Sequence, residues 1–382
     1  MTVDGWTLEM LVMSLNVSRF RAIAVLTVLV ATPALAELRT HNVVLITVDG
    51  LRHQELFSGV DPLLLENKER AGIKDLDRLR EQYWRPTATE RRETLLPFFW
   101  GTLARQGIVI GNKARGSRVT LTNPVRISYP GYAEILTGQA QLAIVSNDPI
   151  RMPRETLLEF ARRKLNLPRT QVAAFASWNV FNAITARNPD SIFTNAGYQP
   201  VPPDIATPEM AVLNALQMQM LTPWDSVRHD AITAGLALAY VKTYQPRLLY
   251  LALGETDDWA HDRRYDRVIH AARFFDDRLR DLWSLLQSTE HYRDRTTLVI
   301  TTDHGRGSTL ENWTSHRGDI DGAEDVWIAV IGPDTPDRGE VAPTPALHTS
   351  NVAGTVLKLL GLDTQEFNAQ AGAPISLAFK SP

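Results

Sequence analysis

Six side chains in this 382-residue sequence have the types and spacing to hold metal. Asp49 ends the apolar run Asn42-Val-Val-Leu-Ile-Thr-Val48. Asp257 and His261 follow the run Leu248–Leu253. Asp303 and His304 follow Thr297–Thr302, and His316 stands in the loop before Val326–Ile331. Carboxylate oxygen and imidazole nitrogen are hard or borderline donors, and mixed Asp/His sets suit zinc. The four-residue spacing of Asp257 and His261 can bring both groups to one side of a helical turn. Each residue alone has a plainer reading. An Asp at a strand end often caps a helix, and a lone His is more often structural. Six of them at loop positions of one sheet make a metal centre the better reading. The chain has no cysteine, so thiolate ligands, disulfides and a cysteine nucleophile are excluded.

A seventh group could supply a nucleophile. Ser128 opens Ser128-Tyr-Pro-Gly-Tyr132 and is followed by a helix-like run to Thr137 and Gly138. A serine hydroxyl is a weak nucleophile at neutral pH, and coordination to a divalent cation lowers its pKa. The chain shows no Gly-x-Ser-x-Gly elbow for a separate base. A helix amino end also offers N–H groups to an anion. By itself, Ser128 would read as a helix cap.

These residues need a frame. The runs 42–48, 248–253, 297–302 and 326–331 are continuous and rich in β-branched residues, as expected of buried parallel strands, with a weaker fifth at 172–176. Amphipathic patterns over 155–165, 266–287 and 351–360 predict helices between them. The alternation predicts an α/β fold: a three-layer α/β/α sandwich with a mostly parallel central sheet. Ligands of such sheets sit beyond the carboxyl ends of the strands, where three strands here end in Asp or Asp-His. The stretch 186–225, rich in Pro, Asn and Thr, reads as an insertion that either caps the site or makes an ordinary surface excursion. The charged stretch 61–95 reads as solvated surface.

Hydrophobic residues make up 44% of the chain and charged ones 22%, with a formal net charge of -3. These are globular values, and they give no general pull toward nucleic acid or anionic membrane. The amino end has a separate character. Arg19 and Arg21 precede the apolar run Ala22–Ala31, and Ala34-Leu-Ala36 follows. This pattern reads as a signal peptide over 1–36, with Met1 or Met13 as its start. The run is too short for the roughly 20 residues that span a bilayer. The expectation is a single catalytic domain over 37–382, periplasmic or secreted, with no membrane association after cleavage.

The order of motifs resembles the alkaline phosphatase superfamily, in particular its type I phosphodiesterase/nucleotide pyrophosphatase-like branch. Val48-Asp49-Gly-Leu-Arg52 is similar to that branch's first metal motif, and Ser128-Tyr-Pro-Gly-Tyr132 to its nucleophile motif, where Thr is usual. Glu255-Thr-Asp257-Asp-Trp-Ala-His261 resembles Glu-Pro-Asp-x-x-Gly-His. Thr302-Asp303-His304-Gly305 resembles Ser-Asp-His-Gly, and His316 matches the last metal histidine. His348 opens a helix instead of preceding the Val326 strand, so His316 is the better match.

The resemblance implies two divalent metal ions, expected to be Zn²⁺. One would be held by Asp257, His261 and His316, the other by Asp49, Asp303, His304 and Ser128. It implies phosphate ester hydrolysis through a phosphoserine intermediate formed on Ser128. The backbone N–H of Tyr129 and the amide of Asn147 would hold phosphoryl oxygens. The substrate would be a small-molecule monoester or diester, with no nucleic acid as a stable partner. Thr256 and Ala260 replace a Pro and a Gly of the motif, and Gly131-Tyr132 replaces an Asn-His pair. Sulfatases of the same superfamily carry Cys/Ser-x-Pro-x-Arg, and position 132 is Tyr. A sulfatase, a phosphomutase and a non-catalytic exported binding protein are the alternatives on this fold.

Overall fold

A computed structural model describes residues 38–381. The segment read as a signal peptide, 1–36, lies outside the described residues. The centre of the fold is β1 (Asn42–Val48), in which every residue is buried. Alternate side chains enter two different cores: Val44, Ile46 and Val48 on one face, Val43 and Leu45 on the other. This two-faced burial explains why the run is apolar throughout. Each such side chain contributes about 1.5–3 kcal/mol on leaving water.

The strands that follow are β2 (Gly107–Ile110), β3 (Val119–Thr120), β4 (Val172–Ala176), β5 (Phe193–Ala196) and β6 (Leu248–Leu253). After them come β7 (Thr296–Thr301), β8 (Asp325–Val326), β9 (Ile328–Ile331), β10 (Gly339–Glu340) and β11 (Leu347–His348). Eight of them form one sheet in the order β10-β2-β9-β7-β1-β6-β4-β5, and β11-β3-β8 form a small second sheet. The block β7-β1-β6-β4-β5 is parallel throughout, with Ile46 level with Leu251 on one side and Ile300 on the other. Helices Asp230–Tyr244 and Tyr265–Ser288 cover one face. Helices Ser128–Thr137, Leu157–Lys164 and Asn351–Leu359 cover the other. The architecture is the expected α/β/α sandwich with a mostly parallel sheet.

Three local expectations change. The run 326–331 divides at Trp327 into β8 and β9, and β9 is antiparallel to β7 and β2. β7 delivers the chain to the carboxyl edge, and the loop 302–324 stays there, so the returning strand must run the opposite way. The stretch 186–225 contains β5, the edge strand beside β4, so the excursion begins only after it. Its helix Pro208–Gln217 is capped by Thr207, which accepts from Met210 N at 3.2 Å. The helix lies against the helix Asp230–Tyr244, where Gly235 faces Leu213. The stretch 61–95 is largely helical; most of its charges point outward, Arg91 is buried, and Leu64, Leu65, Leu79 and Leu95 enter the core.

Candidate metal centre

The three central strands β7, β1 and β6 deliver three carboxylates to one place. Asp49 follows β1 directly, and Asp303 follows β7 by two residues. Asp257 lies in the first turn of the helix Glu255–His261 that begins after β6. Two donor groups form, Asp49/Asp303/His304 and Asp257/His304/His316, and they share His304. In the first, His304 Nε2 lies 3.4 Å from Asp49 Oδ1, 3.3 Å from Asp303 Oδ2 and 3.3 Å from Ser128 Oγ. In the second, Asp257 Oδ1 lies 3.7 Å from His304 Nε2 and 3.9 Å from His316 Nε2, and His261 adjoins it, its Nε2 3.2 Å from Asp257 Oδ2 and 3.0 Å from His316 Nε2. The groups adjoin: the rings of His304 and His316 stack with centroids 3.8 Å apart.

The donors fit a metal. A tetrahedral ion with bonds of about 2.1 Å keeps its donors about 3.4 Å apart, close to these separations. His316 Nδ1 faces the carbonyl of Arg126 at 3.0 Å, and His304 Nδ1 faces that of Gly305 at 3.0 Å. A carbonyl only accepts, so each Nδ1 carries the hydrogen and each Nε2 turns a lone pair inward. Burial holds His261, His304 and His316 below their usual values, in the neutral form that ligation needs. Asp49 Oδ1 and Asp303 Oδ2 are buried with no hydrogen-bond partner. Burial, followed by the charge of Asp303, pushes Asp49 up to about 8. Burial pushes Asp303 up to about 7. Buried, unpaired carboxylate oxygens are costly, and a cation between them removes the cost.

Ser128 is the first residue of the helix Ser128–Thr137, after an extended Ile127. Asn147 comes to the same helix end and engages the other expected donor, the Tyr129 N–H. Asn147 Oδ1 accepts from Tyr129 N at 2.9 Å. The Tyr129 N–H is therefore engaged within the protein, and the Asn147 Nδ2 amide is the donor left over. His348 is elsewhere: its Nδ1 lies 3.0 Å from Thr120 Oγ1 in the small sheet. A cavity of about 970 Å³ opens beside the centre, lined in part by Ile127, Asn147, His261, His316 and Arg317. The excursion after β5 returns near it, where Trp224 Nε1 donates to Asp262 Oδ2 at 3.2 Å.

Three residues of the site escape motif reading. Tyr132 donates its hydroxyl to Asp49 Oδ2 at 2.9 Å. Thr256 donates to the main-chain oxygen of Asp49. Arg306, almost wholly buried, donates to Asp257 and to the carbonyl of Thr314. Tyr132 and Thr256 are two of the positions where the sequence departs from the family motif. A departure inside a motif was the available signal.

Comparison with known proteins bears on the fold and on one segment of the chain. Residues 228–364 match the family model of the Metalloenzyme superfamily. That segment carries Asp257, His261, Asp303, His304 and His316. The fold is alkaline phosphatase-like. A solved 2-O GAG sulfatase superposes with a TM-score of 0.55 at 15% identity, covering 89% of this chain and 73% of its own. A phosphonate monoester hydrolase from Silicibacter pomeroyi gives 0.53 at 15% identity, covering 88% of this chain and 76% of its own. A putative sulfatase from Bacteroides thetaiotaomicron gives 0.55 at 15% identity, with coverages of 89% and 74%. No curated protein matches.

Proposed function

We propose that the protein is an exported, metal-dependent phosphoric ester hydrolase that works through a phosphoserine intermediate. One observation carries this reading. Ser128 Oγ stands 3.3 Å from His304 Nε2, within a group whose two other donors are the unpartnered oxygens of Asp49 and Asp303. A hydroxyl placed among metal donors is a nucleophile in waiting; a structural helix cap would instead bond to its own helix.

Asp257, His261 and His316 would hold one divalent ion, and Asp49, Asp303, His304 and Ser128 the other, with Zn²⁺ the expected identity. Bound ions of this kind lower the pKa of a hydroxyl and stabilise charge on phosphoryl oxygens. Ser128 Oγ attacks phosphorus, the bond from phosphorus to the leaving oxygen breaks, and the alcohol departs with a proton. Water then cleaves the phosphoserine ester, releasing inorganic phosphate from a monoester substrate or a phosphate monoester from a diester, and restoring the hydroxyl. The Asn147 amide is placed to donate to an oxygen of the transferring group. The adjacent cavity, near the upper end of ligand-pocket volumes, has room for a leaving group larger than phosphate. The signal-like segment 1–36 supports export to the periplasm or beyond.

The likeness to solved sulfatases favours a second reading, sulfate ester hydrolysis, since Ser128-Tyr-Pro130 also fits the start of their motif. Against it, Tyr132 stands where those enzymes carry Arg, and its hydroxyl is committed to Asp49. The deciding assay offers the zinc-loaded protein p-nitrophenyl phosphate, bis-p-nitrophenyl phosphate and p-nitrophenyl sulfate. Turnover of either phosphate above the sulfate is expected. Sulfate turnover alone, or none at all with metal bound, overturns the proposal.

A further inference from the structure

Arg306 comes two residues after His304 and is 1% exposed. A guanidinium is rarely buried so deeply without a fixed task. Its Nη2 donates to Asp257 Oδ1 and, at 3.1 Å, to the main-chain oxygen of Asp257. Its Nη1 donates to the carbonyl of Thr314, two residues before His316. Room for it is made at Gly50, which has φ +58; a β-carbon there would lie 2.9 Å from Arg306 Nε and 2.6 Å from Asp257 Oδ1. One planar group thus spans the helix that carries Asp257 and the loop that carries His316.

The fork geometry matters. Guanidinium nitrogens are fixed relative to one another, so satisfying two acceptors fixes both acceptors in space. Arg306 holds Asp257 Oδ1, which also lies 3.7 Å from His304 Nε2 and 3.9 Å from His316 Nε2, while Oδ2 is turned toward His261 Nε2 at 3.2 Å. His316 is held from its other side by the Arg126 carbonyl. The Asp49/Asp303/His304 group receives no hydrogen bond from Arg306.

We propose that Arg306 is a positioning residue that builds the Asp257/His261/His316 group selectively, by fixing the Asp257 rotamer and tying the His316 loop to it. This rests on the reading of both groups as metal sites. Ammonium cannot replace it, because a point charge satisfies the carboxylate without reaching the Thr314 carbonyl in the same plane.

The test is metal content per chain, by mass spectrometry after dialysis against graded chelator. It compares the wild-type protein with Arg306→Ala and Arg306→Lys, with thermal melting as a check of folding. The wild type is expected to hold two ions. Arg306→Ala is expected to hold one firmly and the second at least tenfold more weakly. Added ethylguanidinium should restore the second ion to Arg306→Ala, and ethylammonium should not. If Arg306→Ala does not fold, a folded Arg306→Lys that loses the same single ion supports the proposal. Two ions held with wild-type affinity by a folded variant, or equal weakening of both, overturns it. A wild-type protein that binds no ion overturns the metal reading itself, a result distinct from either.

Discussion

Gly131 lies so close to Asp303 that a β-carbon on it would sit 2.4 Å from the Asp303 carbonyl oxygen. The helix Ser128–Thr137 can therefore approach the end of β7 only because this position has no side chain. The replacement of an Asn-His pair by Gly131-Tyr132 acquires a physical meaning. Gly131 permits the approach, and Tyr132 supplies a donor to Asp49.

Gly131→Ala follows from this contact. Alanine is the better helix former by about 1 kcal/mol, yet the variant should be less active, because the helix must move away from β7 and take Ser128 with it. A drop in kcat of about tenfold or more, with metal content retained, is expected from steady-state kinetics. An unchanged kcat would show that the close approach does not position Ser128.

Ser128→Ala should lower kcat by about 1000-fold or more, the order seen when a covalent nucleophile is removed. Metal and inorganic phosphate should still bind, as read by mass spectrometry and calorimetry. Wild-type turnover in this variant would end the assignment of Ser128 as nucleophile.

Chelation should abolish activity, and added Zn²⁺ should restore it. The unpartnered oxygens of Asp49 and Asp303 make this expectation specific. A protein shown to be metal-free and still fully active would contradict it.

Tyr132→Phe removes one hydrogen bond to a buried carboxylate and little volume. Such bonds are worth about 1.5–3 kcal/mol, so kcat/KM should fall about 10- to 150-fold. The far-ultraviolet spectrum should not change. Equal kcat/KM for the two proteins would show that the hydroxyl does not orient Asp49.

Asp266 gives a pH test away from the centre. Burial pushes its carboxyl up, but Arg264 at 3.0 and 3.1 Å and the N–H groups of Lys74 and Arg267 outweigh this and hold it below its usual value. A depressed carboxyl adds stability that is fully present above its unfolded value of about 3.9 and is lost as pH falls through the folded value. Asp266→Asn should thus cost about 1–2 kcal/mol at pH 7, and the two proteins should converge in acid. Urea melts at several pH values check this; a constant difference down to pH 3 would contradict it.

Much of the frame was legible because burial on both faces leaves a strong mark. The residues of β1, β6 and β7 are apolar without interruption, and each strand ends near an acid that has no business in a core. The donors therefore announced themselves by position. The short strands did not: β3, β8, β10 and β11 have two residues each, too few to show a period. The direction of β9 depends on where the preceding loop leaves the chain, which is a tertiary fact. Arg306 was silent for a related reason. Its partners, Asp257 and the Thr314 carbonyl, are set by a fold that no local pattern encodes, and an arginine in a loop otherwise reads as solvated. The stretch 186–225 hid β5 because Phe193–Ala196 is short and lies among turn formers.

The spacing of the donors along the chain has a thermodynamic consequence. Ser128 and His304 are 176 positions apart, and Asp61 and Tyr265, which help to anchor the same edge, are 204 apart. An unstructured copy of this polypeptide presents scattered, weak ligands and has almost no affinity for a divalent ion. A divalent ion held by these residues would therefore act as a folding ligand. It would deepen the native basin without touching the denatured one, and its supply would help to decide how much of the protein survives proteases.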